Sequence, residues 1–88
     1  MLTPDDLLRL YPRETLRWLR ARLGLSQAGL ATLVVAAPAT VASWENGRST
    51  VRRARNRRRL AGLLAPRLAT PEGKAFARSL GRSVGGGD

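Results

Sequence analysis

Apolar residues recur along this chain at helical rather than strand spacing. Leu16, Leu19 and Leu23 share one face at i, i+3 and i+7, and Leu30, Ala31 and Val34 share another. Val41 and Trp44 stand at i and i+3, and Phe76 and Leu80 at i and i+4. No period-two alternation persists, and β-branched runs are short. Thr3-Pro4-Asp5-Asp6 supplies a cap, a first-position proline and an acidic first turn. That helix should stop by Tyr11, because Pro12 disfavours helix in the residue before it. Pro12 opens a second helix, which Gly24 ends. Ser26 caps the next, and Val35-Ala36-Ala37 forms a turn. Pro38 opens a further helix, which Asn46-Gly47 stops. A longer one is expected from Thr50 to Ala65, ended by Pro66, with Val51, Ala54, Leu60, Ala61 and Leu64 on its apolar side. Thr70-Pro71-Glu72 announces the last. The pattern predicts an all-α fold, a bundle of about five short helices.

The 88 residues suffice for one small domain with a modest core. We expect it to occupy residues 1–65, followed by a C-terminal helix within 66–84 and a flexible tail at 85–88. With no cysteine and no histidine, disulfides, thiolate metal sites and imidazole chemistry are excluded. The six acidic residues are scattered, none in a nucleophile–base arrangement or at metal-ligand spacing. No enzyme, cofactor, metal or small-molecule substrate is therefore expected. The uncharged stretch from Leu23 to Trp44 is too polar, and too broken by Gly24 and Pro38, for a membrane span. Asp5 and Asp6 stand where a signal peptide would carry basic residues. The expectation is a cytoplasmic, nucleoid-associated protein.

Charge changes this picture most. Sixteen basic residues against six acidic ones give +10. Residues 1–47 hold five arginines against four acids, +1; residues 48–88 hold eleven basic residues against two acids, +9. A half-molecule so basic attracts polyanions, of which nucleic acid is the commonest and an anionic membrane surface the rival. All the cations but Lys74 are arginine, the better bidentate partner for phosphate. The densest run is Arg52-Arg53-Ala54-Arg55-Asn56-Arg57-Arg58-Arg59, whose side chains should fan out around a helix. We read it as a grip on a polyanion; the alternative is a solvated face with arginine stems covering apolar surface.

Two short helices joined by a tight turn and followed by Trp44-Glu45-Asn46-Gly47 resemble the helix-turn-helix of the Cro and phage-repressor family. The resemblance runs from about Leu16 to Leu64, with the motif itself at about 26–46. Leu16-Arg17-Trp18-Leu19-Arg20 and Leu23-Gly24-Leu25-Ser26-Gln27 look like the family's first helix and the entry to its second. Thr40 to Arg48 looks like the recognition helix and its exit. The resemblance implies a structural ion pair between Arg20 and Glu45. It implies phosphate contacts from Ser26, Gln27, Asn46 and Arg48, with Thr40 beside them, and Thr50, Arg52 and Arg53 lie in reach of further phosphates. It implies that helix 38–45 lies in the major groove, with base-contacting positions at Pro38, Ala39, Thr40, Ala42 and Ser43. Val41 and Trp44 face inward, Trp44 as core rather than as a base-stacking ring.

Small outer residues let a helix lie deep in the groove; they also suit any short exposed helix. Pro38 and Ala39 have no donor for base edges but can touch thymine methyls, and Ser43 discriminates little, so DNA shape must supply the rest. Two positions depart from the family pattern. Val35 stands where the turn usually carries glycine, a position prone to positive φ at which a β-branched residue is strained. Gly29 replaces a helix former at about 1 kcal/mol relative to alanine.

The primary expectation is a non-enzymatic DNA-binding regulator of prokaryotic or phage type, a repressor or activator, with double-stranded DNA as partner. The alternative is a protein-interaction module of the same fold, an antitoxin covering a toxin or an adaptor to a polymerase subunit. Scarce aromatics argue against a single-stranded RNA reader. Leu7, Leu8, Leu10, Tyr11, Phe76 and Leu80 are the spare apolar material; they either form a homodimer contact or close the small core.

Overall fold

Four of the five prolines, Pro4, Pro12, Pro38 and Pro71, occupy the first position of a helix. There the missing N–H is an orphan in any case, and the fixed φ suits the helix. The computed structural model describes residues 2–85, with side chains as far as Gly81. Its helices are α1 (Pro4–Leu10), α2 (Pro12–Leu23), α3 (Gln27–Val34), α4 (Pro38–Glu45), α5 (Ala54–Leu68) and α6 (Pro71–Gly85). The described residues thus form six helices, one for each segment marked out by the sequence signals, against the expected total of about five.

Local chemistry accounts for most of the boundaries. Thr3 caps α1 by accepting from the Asp6 N–H at 3.1 Å, while the Asp6 carboxylate accepts from the Thr3 N–H at 3.0 Å. The Thr3 N–H bond foremost, then the Thr3 side chain and Arg9 at 2.7 Å, hold the Asp6 carboxyl below its usual range. At the α1–α2 corner the Leu7 carbonyl accepts from the Tyr11 N–H at 2.8 Å and from the buried Thr15 hydroxyl at 3.3 Å. The corner therefore buries no unpaired polar group, as burial requires.

The basic helix departs from its expected limits. It starts at Ala54, not Thr50, and ends at Leu68, not Ala65. Residues 51–53 stay non-helical because Arg57 Nη1 donates to the carbonyls of Val51 and Arg52, at 2.9 and 2.7 Å. Val51 is buried as expected, whereas Ala54 is exposed. Pro66 does not stop the helix. It lies in the last turn on the solvent side, and the carbonyl left without its N–H donor belongs to Gly62, itself exposed, so no buried acceptor is stranded.

The core is built from all six helices: Leu7 and Leu8 of α1, Leu16 and Leu19 of α2, Leu30 and Val34 of α3, Val41 and Trp44 of α4, Leu60 and Leu64 of α5, and Leu80 of α6. Phe76 stacks on Trp18, with ring centroids 4.6 Å apart and planes 6° from parallel. Leu7, Leu8, Phe76 and Leu80 thus close this chain's own core. Of the spare apolar residues, Leu10 alone is largely exposed. Gly85 ends α6, so the expected tail is reduced to residues 86–88, which lie outside the described residues.

The α5–α6 corner depends on one glycine. Thr70 caps α6 by accepting from the Gly73 N–H at 3.1 Å and donates its hydroxyl proton to the Arg67 carbonyl at 2.6 Å. A Cβ on Gly73 would lie well inside contact distance of that carbonyl oxygen and of the Leu68 backbone. Gly73→Ala should therefore destabilise the domain by about 1–3 kcal/mol. Urea unfolding followed by circular dichroism measures this, and an unchanged midpoint would contradict the close approach.

Candidate nucleic-acid interface

The positions of α3 and α4 are set by a carboxylate that the core cannot leave unpaired. Glu45, at the end of α4, is 3% exposed. Arg20 of α2 grips it in a bidentate fork, Nε to Oε2 at 2.5 Å and Nη2 to Oε1 at 2.8 Å. The third arginine nitrogen, Nη1, donates to the Leu25 carbonyl at 3.0 Å, on the strand of chain that leads into α3. Hydrogen bonding to Glu45 raises the Arg20 guanidinium above its ordinary value, against the opposing effect of burial. Gln27 adds a long donor contact to Glu45 Oε1 at 3.4 Å. The expected Arg20–Glu45 pair is therefore present, and it joins three helices.

At the entry to α3, Ser26 caps the helix by accepting from the Gly29 N–H at 3.0 Å. Gln27 follows at the first helical position, with one amide hydrogen directed to Glu45 and its oxygen without a partner among the described residues. Gly29 is partly explained by space: a Cβ would come within 3.3 Å of Leu25 Cδ2.

The turn between α3 and α4 repeats the closure that ends α2. In each, the N–H two residues past the helix reaches back five residues: Leu25 to Arg20 at 3.1 Å and Ala36 to Ala31 at 2.9 Å. The residue between must be left-handed. In α2 it is Gly24, at φ 67°; in α3 it is Val35, at φ 57° and ψ 52°. The turn keeps the shape that glycine ordinarily permits, and Val35 carries the strain. Arg59 of α5 steadies the site by donating to the Val34 carbonyl at 3.1 Å, a cation at a helix C-terminus.

Beyond the turn, α4 buries Val41 and Trp44. Pro38 and Ala39 are exposed, and Thr40, Ala42 and Ser43 are half-buried. The base-contacting positions expected from the sequence therefore share one accessible side of the helix. Its exit is tightly organised. The Ser43 carbonyl accepts from the Arg48 and Ser49 N–H groups at 3.0 and 3.3 Å, and the Asn46 side chain accepts from the Arg48 N–H at 3.0 Å. Gly47 supplies the left-handed residue, at φ 81°. The Ser43 and Ser49 hydroxyls bond each other at 2.8 Å, which restrains the Ser43 side chain.

The basic run divides into two groups. Arg57 turns inward, to Asp5 of α1 at 2.9 Å and to the two carbonyls above, and Arg59 turns to α3. Arg52, Arg53, Arg55 and Arg58 remain exposed, as does Arg48. Arg53, Arg55 and Asn56 share a polar cleft with Thr40 and the turn residues Val35, Ala36 and Ala37. Arg55 and Asn56 were expected only as members of the basic run, not among the individual DNA-contacting residues. Starting the helix at Thr50 places them in its middle, whereas the true start at Ala54 puts them in the first turn, facing α4.

The axes of α3 and α4 are bent by 112° with respect to each other, within the range of a DNA-binding helix-turn-helix. A family model described as helix-turn-helix matches residues 16–60, just over half of the chain. The chain belongs to the Cro/C1-type helix-turn-helix family. The family is a DNA-binding one. No curated protein and no solved structure matches the chain significantly. Among the described residues no single helix is long and apolar enough to cross a membrane.

Two stability predictions follow from this geometry. Arg20→Ala strands a buried carboxylate and should cost about 3–5 kcal/mol, whereas the paired change Arg20→Met with Glu45→Met should cost less than either single change. Chemical denaturation of the three variants decides this, and a double variant no better than the worse single one would contradict it. Val35→Gly removes the left-handed strain from a side chain that is 67% exposed. It should stabilise the domain by about 1 kcal/mol, after the extra freedom of glycine in the unfolded chain is counted. A lowered denaturation midpoint would contradict the strain.

Proposed function

We propose that this protein is a non-enzymatic transcription regulator of prokaryotic or phage type, acting by occupying a DNA site and blocking or recruiting polymerase. The observation that carries this reading is the accessible side of α4, flanked by exposed arginines and by the start of α3. In this reading α4 enters the major groove. Pro38 and Ala39 meet thymine methyls, with Thr40, Ala42 and Ser43 completing the surface that meets the bases. Ser26 and Gln27 clamp one phosphate at the N-terminus of α3. Asn46, Arg48, Arg52 and Arg53 contact the backbone on the other side. Ser43 keeps one hydroxyl function for a base because Ser49 engages the other.

One domain of this size covers one half-site, so a specific operator needs two copies related by a two-fold axis. The folding of Leu7, Leu8, Phe76 and Leu80 into the monomer favours a dimer that forms on DNA over a tight dimer in solution. Intracellular localisation at the nucleoid accords with this reading.

Selection from a randomised duplex library at near-physiological salt tests the proposal. The expected result is a two-fold symmetric motif with half-sites about 10 base pairs apart. An unenriched pool, or no binding, would overturn it. Residue roles separate in the same assay. Gln27→Ala and Arg48→Ala should weaken binding to every duplex alike, while Thr40→Ala and Ser43→Ala should change the preferred sequence. Arg52→Ala should lower the log–log salt slope by about 0.9. Equal effects of the four α3–α4 variants on every sequence would contradict the assignment.

A further inference from the structure

On α6, one stripe faces inward and the next faces a groove. Gly73, Phe76 and Leu80 pack against α5 and Trp18. Lys74, Ala77, Arg78 and Gly81, spaced over two turns, border a cavity of about 680 Å³ whose other walls, among the described residues, are Leu2 and Leu68. The floor is apolar, and the cations stand at its edge, one turn apart and exposed. Neither takes part in an ion pair among the described residues. From these features we infer that the groove docks an amphipathic helix of another protein, its apolar ridge in the groove and carboxylates against Lys74 and Arg78.

Charge selects this occupant. The chain carries +10, and three of its six acids are already engaged, Asp5 and Asp6 by arginines at 2.7–3.1 Å and Glu45 by Arg20. A second copy therefore has little negative charge to offer Lys74 and Arg78 and brings its own excess of positive charge. Duplex DNA supplies the negative charge but no apolar ridge for the floor. A bilayer takes up convex apolar surface rather than a concave groove. A helix with leucines at i, i+3 and i+4 and glutamates beside them meets both demands. Ala77 and Gly81 add no bulk that would hold its backbone away; a Cβ on Gly81 would meet nothing within 4 Å. None of the described residues lining the groove belongs to α3, α4 or the segment 46–56, so docking is independent of the DNA reading and compatible with it.

The test uses the full chain and two labelled synthetic peptides sharing one leucine ridge, flanked by glutamate in one and by lysine in the other. Fluorescence anisotropy should show saturable one-to-one binding of the glutamate peptide only. Lys74→Glu with Arg78→Glu should weaken it about tenfold and confer binding of the lysine peptide, while Arg52→Ala with Arg53→Ala leaves it unchanged. Gly81→Trp fills the groove without altering charge and should abolish binding. Circular dichroism verifies that each variant is folded. DNA binding by the Gly81→Trp variant should match that of the parent chain, which separates failure here from failure of the DNA reading. The proposal is overturned by no binding, or by equal losses from the two charge variants, which would mean that the peptide reads net charge. It is overturned equally by a solution dimer that Gly81→Trp dissociates, or by binding to phosphatidylglycerol vesicles that is lost in the Lys74→Glu, Arg78→Glu variant. Those outcomes place a second copy or a membrane in the groove.

Discussion

The Arg20–Glu45 pair is the constraint on which the rest of the structure depends. A carboxylate buried to 3% exposure is tolerable only if both of its oxygens are paired, and Arg20 pairs both. The same guanidinium holds the Leu25 carbonyl, while the Arg20 carbonyl receives the Leu25 N–H. One residue thus fixes the end of α2, the approach to α3 and the end of α4. Against an isosteric apolar contact, such a pair adds little net stability; what it supplies is a definite geometry. That geometry is the 112° bend which leaves one side of α4 accessible.

The turn between α3 and α4 shows how far tertiary packing overrides local preference. A valine in the left-handed region is strained, yet the turn has the same hydrogen-bond closure as the glycine turn after α2. Burial of Leu30, Ala31 and Val34 on one side of the turn and of Val41 and Trp44 on the other outweighs the strain at Val35. Arg59 contributes by neutralising the carbonyl end of α3 beside the strained residue. The departure from the family pattern at Val35 is therefore absorbed locally, and the turn closes with the same hydrogen bonds as the glycine turn after α2.

Net charge overstates the cations available to a polyanion. Arg57 joins α1 to α5 and holds two carbonyls in an extended segment, and Arg59 caps α3. Both are consumed by the fold. The exposed arginines of the run, Arg52, Arg53, Arg55 and Arg58, lie near the start of α5, and two of them share a cleft with Thr40 of α4. Lys74 and Arg78 lie instead on α6, beside an apolar groove. These two positive regions differ in character, one polar and one set against apolar walls.

The sequence by itself determined the elements whose signals are local. Proline at first helical positions, Thr3 and Ser26 as caps, Gly24 and Asn46-Gly47 as stops and the inward faces of α2, α3 and α4 were all legible, because each signal acts within about one turn of the residue that carries it. The motif at about 26–46 was legible for the same reason, and with it the pairing of Arg20 with Glu45 that the family resemblance implied. Only the tertiary structure decided where α5 begins, since Arg57 withdraws Val51 and Arg52 from the helix while reaching Asp5, 52 residues away. It alone decided which arginines stay free and that Phe76 and Leu80 close the core. It also placed Arg55 and Asn56 beside α4. Those outcomes depend on partners far apart in the chain, and a fan of arginines carries no local signal to say which of them will find one.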